Sequence, residues 1–187
     1  MGKMKPSRGI LSGLLERRRE RMIRSYIKDK ILDLGCGPSN VLNLFSVKAY
    51  YGVDIKRESI ERLKAIYPQH KFFVKNMESD KIVLDKKVNT VIMTAFLEHI
   101  ENYLNPIEQS LNNLETGGKM LITTPSAFGH KVHAFGARLG LFSREAKEDH
   151  RVILTRKDFV DISKKYKLRM RFKYFQFFCN QLVVFEK

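Results

Sequence analysis

The chain is short of several things, and each shortage removes a class of protein. It has two cysteines in 187 residues, Cys36 and Cys179. They lie far apart and match no metal-binding spacing, so neither a disulfide scaffold nor a zinc module is indicated, and both read as reduced thiols of a cytosolic protein. No apolar run approaches the roughly 18 residues of a membrane-spanning helix. The basic N-terminus lacks the apolar segment of a secretory signal. Acids are scarce too, 20 Asp and Glu against 35 Lys and Arg, for a formal charge of +15. No internal repeat or low-complexity tract is present.

What is there suits one compact unit. The length fits one domain over residues 1–187, and 43 % hydrophobic residues can supply a normal core. The charge is unevenly placed. Residues 1–30 and 151–187 each carry a net +7, while 31–150 carry only +1. A nearly neutral middle between two basic ends suggests that the ends meet something acidic or simply face solvent.

The middle is organised around Ile31-Leu32-Asp33-Leu34-Gly35-Cys36-Gly37-Pro38-Ser39-Asn40. Apolar residues read as a buried strand, and the glycines as a turn that leaves backbone room for a ligand. A helix is expected over 39–46, with its N-terminal N–H groups facing that turn. A second strand, Tyr50-Tyr51-Gly52-Val53, ends in Asp54, 21 residues after Asp33. An acid there can accept hydrogen bonds from ribose hydroxyls. A nicotinamide dinucleotide is disfavoured, because its G-x-G-x-x-G turn would need a third glycine where Asn40 stands, and Pro38 sits inside the turn.

Further strands are expected at 71–74, 89–94, 119–123, 167–175 and 181–185. Helices are expected over Ile10–Lys28, Ser59–Ile66, about Pro106–Leu114 and Thr155–Tyr166. Gly117-Gly118 is expected to end the third of these, and Thr155 with Asp158 to cap the last. Residues 78–88 read as loop. Residues 125–151 break the strand–helix rhythm with three glycines and three histidines, so they are expected to form a cover over substrate. Lys167, Arg169, Arg171 and Lys173 alternate with apolar residues, the pattern of a half-buried strand whose charges protect an edge.

LDLGCG followed by YGVDI resembles motifs I and II of the class I S-adenosylmethionine (SAM)-dependent methyltransferases, in their small stand-alone, type-11-like form. Three later stretches follow in the same order: Phe72–Met77 like the adenine-contacting loop, Val91–Ile100 with the "LEHI" ending of motif IV, and Leu114–Pro125 like the strand-five segment. The resemblance covers residues 31–125. It implies a three-layer Rossmann-like α/β sandwich with a mostly parallel seven-stranded sheet, order 3-2-1-4-5-7-6, strand seven antiparallel.

The resemblance also implies SAM as cofactor. Gly35, Cys36 and Gly37 would cradle its methionine part and Asp33 steer its ammonium. Asp54 would take the ribose, Ile55 and Met77 the adenine faces, and Asn76 the adenine amino group. Thr94 ends the fourth strand beside them. His99 and His150 are the candidate bases for an O or N acceptor, ahead of His130 and His133. Ser39, Asn76, Asn89 and Ala95 depart from the family pattern. No metal is expected.

The acceptor expected is a small or lipid- or glycan-linked metabolite, with an anionic one compatible with the basic ends. An RNA or protein methyltransferase using the basic ends is the alternative, and a non-catalytic SAM-binding protein a third. The basic ends leave peripheral contact with nucleic acid or a membrane surface open. The sequence assigns no oligomeric state.

Overall fold

The computed structural model describes residues 12–37, 42, 47–130, 132 and 150–187. Seven strands form one sheet: β1 (Lys30–Leu34), β2 (Ala49–Asp54), β3 (Lys71–Val74), β4 (Val88–Thr94), β5 (Leu114–Pro125), β6 (Arg169–Phe175) and β7 (Asn180–Glu186). Their order is β3-β2-β1-β4-β5-β7-β6, as expected. β1 to β5 run parallel, and β7 lies antiparallel between β5 and β6. β1, β2 and β4 are almost wholly buried along their length, which is why they read as continuous apolar runs.

Helices cover both faces. On one side Ile23 of α1 (Ser12–Arg24) joins Ile60 and Leu63 of α2 (Arg57–Ile66) over Ile31, Tyr50, Phe72 and Ile92. On the other, Ile107 and Leu111 of α3 (Leu104–Asn113) and Phe159 and Ile162 of α4 (Arg156–Lys165) pack on Leu32, Val53, Val91 and Met120. Thr155 caps α4, with its N–H and hydroxyl both donating to the Asp158 carboxylate at 2.7 and 2.6 Å.

One local expectation fails. Gly117-Gly118 does not end a helix, because α3 stops at Asn113 and β5 starts at Leu114. Leu114 pairs with Val88, and the Gly117 N–H donates to the Lys187 carbonyl at 2.8 Å. Sheet pairing takes these residues before the glycines act. Two amides of α3 also do work that composition did not announce. Gln109 accepts from the Ile82 N–H and donates to the Asp80 carbonyl. Asn113 accepts from the Leu84 N–H and donates to the Ile82 carbonyl. These bonds satisfy the backbone of 80–84, so the segment stays an irregular loop although it is packed against the core.

Candidate active site

The carboxyl ends of β1 and β2 build the first half of the site. Gly35 has φ +73° and Gly37 φ +47°, in the left-handed region that favours glycine. A Cβ on Gly35 would stand 2.5 Å from Phe96 Cδ2, so the ring of Phe96 closes over the turn and requires glycine there. The N–H groups of Gly35 and Cys36 both donate to the Val53 carbonyl, at 2.8 and 3.0 Å. The Gly37 N–H donates to Asp54 Oδ2 at 2.7 Å, and the Lys56 N–H to Asp54 Oδ1 at 2.8 Å. The turn is thus held by its neighbours. It offers a ligand space and carbonyl oxygens, and each Asp54 oxygen keeps a second lone pair for a hydroxyl. Ile55, next in the chain, is 61 % exposed.

The other candidate cofactor residues are used in different ways. Asp33 is buried and accepts from the Tyr50 hydroxyl at 2.6 Å. Burial pushes the Cys36 thiol well above its usual range, with the charges of Asp33 and Asp54 adding to the effect, so it packs rather than reacts. The Asn76 side-chain carbonyl accepts from the Glu78 N–H at 3.0 Å, an Asx turn. Met77 is part of the core, while Thr94 is half-buried at the end of β4. Asn89 sits at the opposite end of β4, accepting from the Lys30 N–H and donating to Asp29. Ser39 and His133 lie outside the described residues, as do most of the expected 39–46 helix and most of the expected cover over 125–151.

The second half sits at the carboxyl ends of β4 and β5. Ala95 leaves β4 with φ +49°, unusual for a side-chain-bearing residue, and its N–H donates to the Thr123 carbonyl. A 3-10 turn follows over Leu97–His99. The Glu98 carbonyl accepts from the N–H groups of Arg151 and Val152, at 2.8 and 3.2 Å. That pair of bonds brings His150 against His99, with ring centroids 5.1 Å apart. His130 reaches the same place, 5.7 Å from His150. His130 closes a short helical turn whose N–H donates to Ser126. That turn is pinned to the β6–β7 hairpin, where Ser126 Oγ donates to the Phe178 carbonyl at 2.5 Å and the Ser126 N–H donates to Cys179.

Glu98 is 3 % exposed, and its Oε2 has no hydrogen-bond partner among the described residues. Burial raises its pKa against the opposing effects of its backbone hydrogen bonds and of the His99 and Arg19 charges. Arg19, on α1, is therefore close enough for its charge to be felt, and its own Nε is buried without a partner. The sequence singles out His99 and His150 but not Glu98, and it offers Arg19 only as one of several arginines of the first helix that could hold an acidic substrate. Glu98 was hidden inside a family motif, and Arg19 inside a run of arginines.

A family model described as methyltransferase domain matches residues 8–172. The chain belongs to that family. Its fold is shared by an S-adenosylmethionine-dependent methyltransferase from Mesorhizobium loti, with a TM-score of 0.73 at 14 % identity over 92 % of this chain and 100 % of that one. It is also shared by the small RNA methyltransferase HEN1, TM-score 0.70 and 16 % identity over 100 % of this chain and 27 % of that one. Trans-aconitate 2-methyltransferase of Rhodopseudomonas palustris (strain BisB5) is 26 % identical over 108 residues, 56 % of this chain and 41 % of that protein. The chain therefore aligns with about two-fifths of the length of this curated relative. SAM is the cofactor of this methyltransferase. The glycine turn closed by Phe96, the spare lone pairs of Asp54 and the exposed Ile55 fit that molecule.

Proposed function

We propose that this methyltransferase modifies an O or N nucleophile of an anionic metabolite that carries an apolar, lipid- or glycan-linked portion. SAM, when bound, supplies a methyl group on a sulfonium, which reacts by in-line displacement and leaves the protein to position and deprotonate the acceptor. In this reading Gly35, Cys36, Gly37 and Asp54 hold the cofactor, and Ile55 lies on its adenine. His99 and His150 face the acceptor.

The observation that carries the anionic acceptor is Arg19. Its Nε is buried with no partner among the described residues and its charge is felt at Glu98, just past the carboxyl end of β4, and a guanidinium suits carboxylate or phosphate recognition. The relative that methylates trans-aconitate points to an acidic substrate as well. The apolar portion is suggested by the hairpin tip, where Phe177 and Phe178 are 86 % and 66 % exposed, with Phe128 and Tyr174 also exposed.

Arg19→Gln should raise the KM for the acceptor at least tenfold and leave SAM affinity unchanged, measured with labelled SAM on lipid, soluble-metabolite and RNA fractions. Turnover confined to RNA would favour the second reading, which the exposed Arg169, Arg171 and Lys173 of β6 support. Steep loss of binding with salt marks that outcome. Unchanged KM in Arg19→Gln removes the anionic reading.

A further inference from the structure

Glu98, His99 and His150 each offer one ligand atom, and these atoms all lie within 4.8 Å of one another. A buried carboxylate oxygen with no donor is costly, and Glu98 Oε2 has none among the described residues. The Arg19 charge is felt at Glu98, but among the described residues no group donates a hydrogen bond to that oxygen. A cation between the carboxylate and the two imidazoles would satisfy the oxygen. We propose that Glu98, His99 and His150 bind a divalent transition-metal ion, zinc or manganese in chemical class, that presents an acceptor oxygen for methylation.

The donor set narrows the ion. Two imidazoles and one carboxylate match catalytic zinc, which keeps a further position open for water or substrate. They are too nitrogen-rich for calcium or magnesium and too hard for copper(I). With metal–nitrogen bonds of about 2.0–2.1 Å, ligand atoms in a tetrahedron stand about 3.3 Å apart. The widest pair must therefore close by at most about 1.5 Å. Rotation of the half-buried His99 and His150 side chains can supply that, while Glu98 is fixed by its place in the core.

The site also has the shared frame a metal centre needs. Glu98 and His99 are consecutive in the 3-10 turn, and the Glu98 carbonyl itself holds the backbone beside His150 through Arg151 and Val152. His130 stands next to His150, with ring centroids 5.7 Å apart.

The role of the ion deepens the acceptor reading above and rests on it, whereas ion binding stands on the ligand set alone. An acceptor hydroxyl on the open position becomes more acidic and releases its proton to solvent or to His130. Its oxygen lone pair forms the new C–O bond to the methyl carbon as the carbon–sulfur bond breaks. The electron pair of that bond goes to sulfur, which leaves as a neutral thioether. No oxidant or second substrate is required.

The test uses the full chain, stripped with a chelator, and cobalt(II) as the probe. Visible absorption should rise to one equivalent, and zinc(II) should displace the cobalt. His150→Ala, and separately Glu98→Gln, should weaken cobalt binding at least tenfold. Because Glu98 is buried, His150→Ala carries the test if the other variant fails to fold, with folding checked by Tm and by SAM affinity in the absence of metal. Cobalt binding that is absent, or unchanged in folded His150→Ala, overturns the proposal. SAM affinity is read independently, so a failure of the metal site leaves the methyltransferase assignment visible, and failure of wild-type SAM binding strikes that assignment instead.

Discussion

At the carboxyl ends of β1 and β2 the polar groups that shape the turn are partnered next door: Gly35 and Cys36 to Val53, and Gly37 and Lys56 to Asp54. At the carboxyl ends of β4 and β5, Glu98 Oε2 and the Thr123 hydroxyl are buried without hydrogen-bond partners among the described residues, as is Nε of Arg19, whose charge is felt at Glu98. The first region is set by backbone conformation and is complete before a ligand arrives. The second is assembled from side chains distant in sequence and holds unmet polar demand. A cofactor common to a whole family can use a preformed backbone cradle. An acceptor that differs between members is met by side chains that can change without disturbing the fold.

This contrast can be broken most forcibly at Gly129, in the acceptor region. A Cβ there would stand 1.8 Å from the Cys179 carbonyl oxygen, a backbone atom that cannot swing aside. Gly129→Ala should push the Ser126–His130 turn off the hairpin and cost about 1–3 kcal/mol or more, read as a lowered Tm, with SAM affinity in the folded fraction retained. Lost SAM affinity in that fraction would mean that the two regions are not independent.

The reverse experiment is Asp54→Ala. Losing hydrogen bonds between a carboxylate and the cofactor should cost about 1.5–3 kcal/mol, at least tenfold in SAM affinity by calorimetry, with cobalt binding unaltered. Equal SAM affinity in the folded variant would remove Asp54 from the cofactor site.

The smallest effect lies outside both regions, at the amino-terminal end of β1. Hydrogen bonds from Lys48, then Asn89, lower the Asp29 carboxyl pKa to about 2. Its folded value is below the ordinary value, so its contribution to stability is present above about pH 3.9 and is lost as pH falls through about 2. Carboxyl NMR titration should find that midpoint, and Lys48→Gln should move it upward. An Asp29 titrating at the ordinary value would show the ion pair to be unformed in solution. Lys48→Gln should alter neither SAM nor cobalt binding.

The sheet order, the antiparallel β7 and the edge position of β6 were legible because each rests on local pattern joined to one family resemblance. Arg169, Arg171 and Lys173 are exposed while Met170 and Phe172 are half-buried, as alternation demands. The Thr155–Asp158 cap was legible for the same reason, since three residues suffice to make it. Gly117-Gly118 misled because glycine marks a helix end only when nothing else claims the backbone, and here β4 and the chain terminus do.

The sequence by itself determined the glycine turn, the acid after the second strand and the strand–helix alternation, because those are consecutive residues obeying short-range stereochemistry. Only the tertiary structure decided that Glu98, His99, His130 and His150 share one place, with Arg19 near enough for its charge to be felt. The 3-10 turn at the end of β4 exposes the Glu98 carbonyl to Arg151 and Val152, and the hairpin anchors the turn that carries His130. Those hydrogen bonds join residues more than 50 positions apart. No local pattern encodes them, and they form only once the sheet has brought the carboxyl ends of β4 and β5 beside the amino-terminal end of β7.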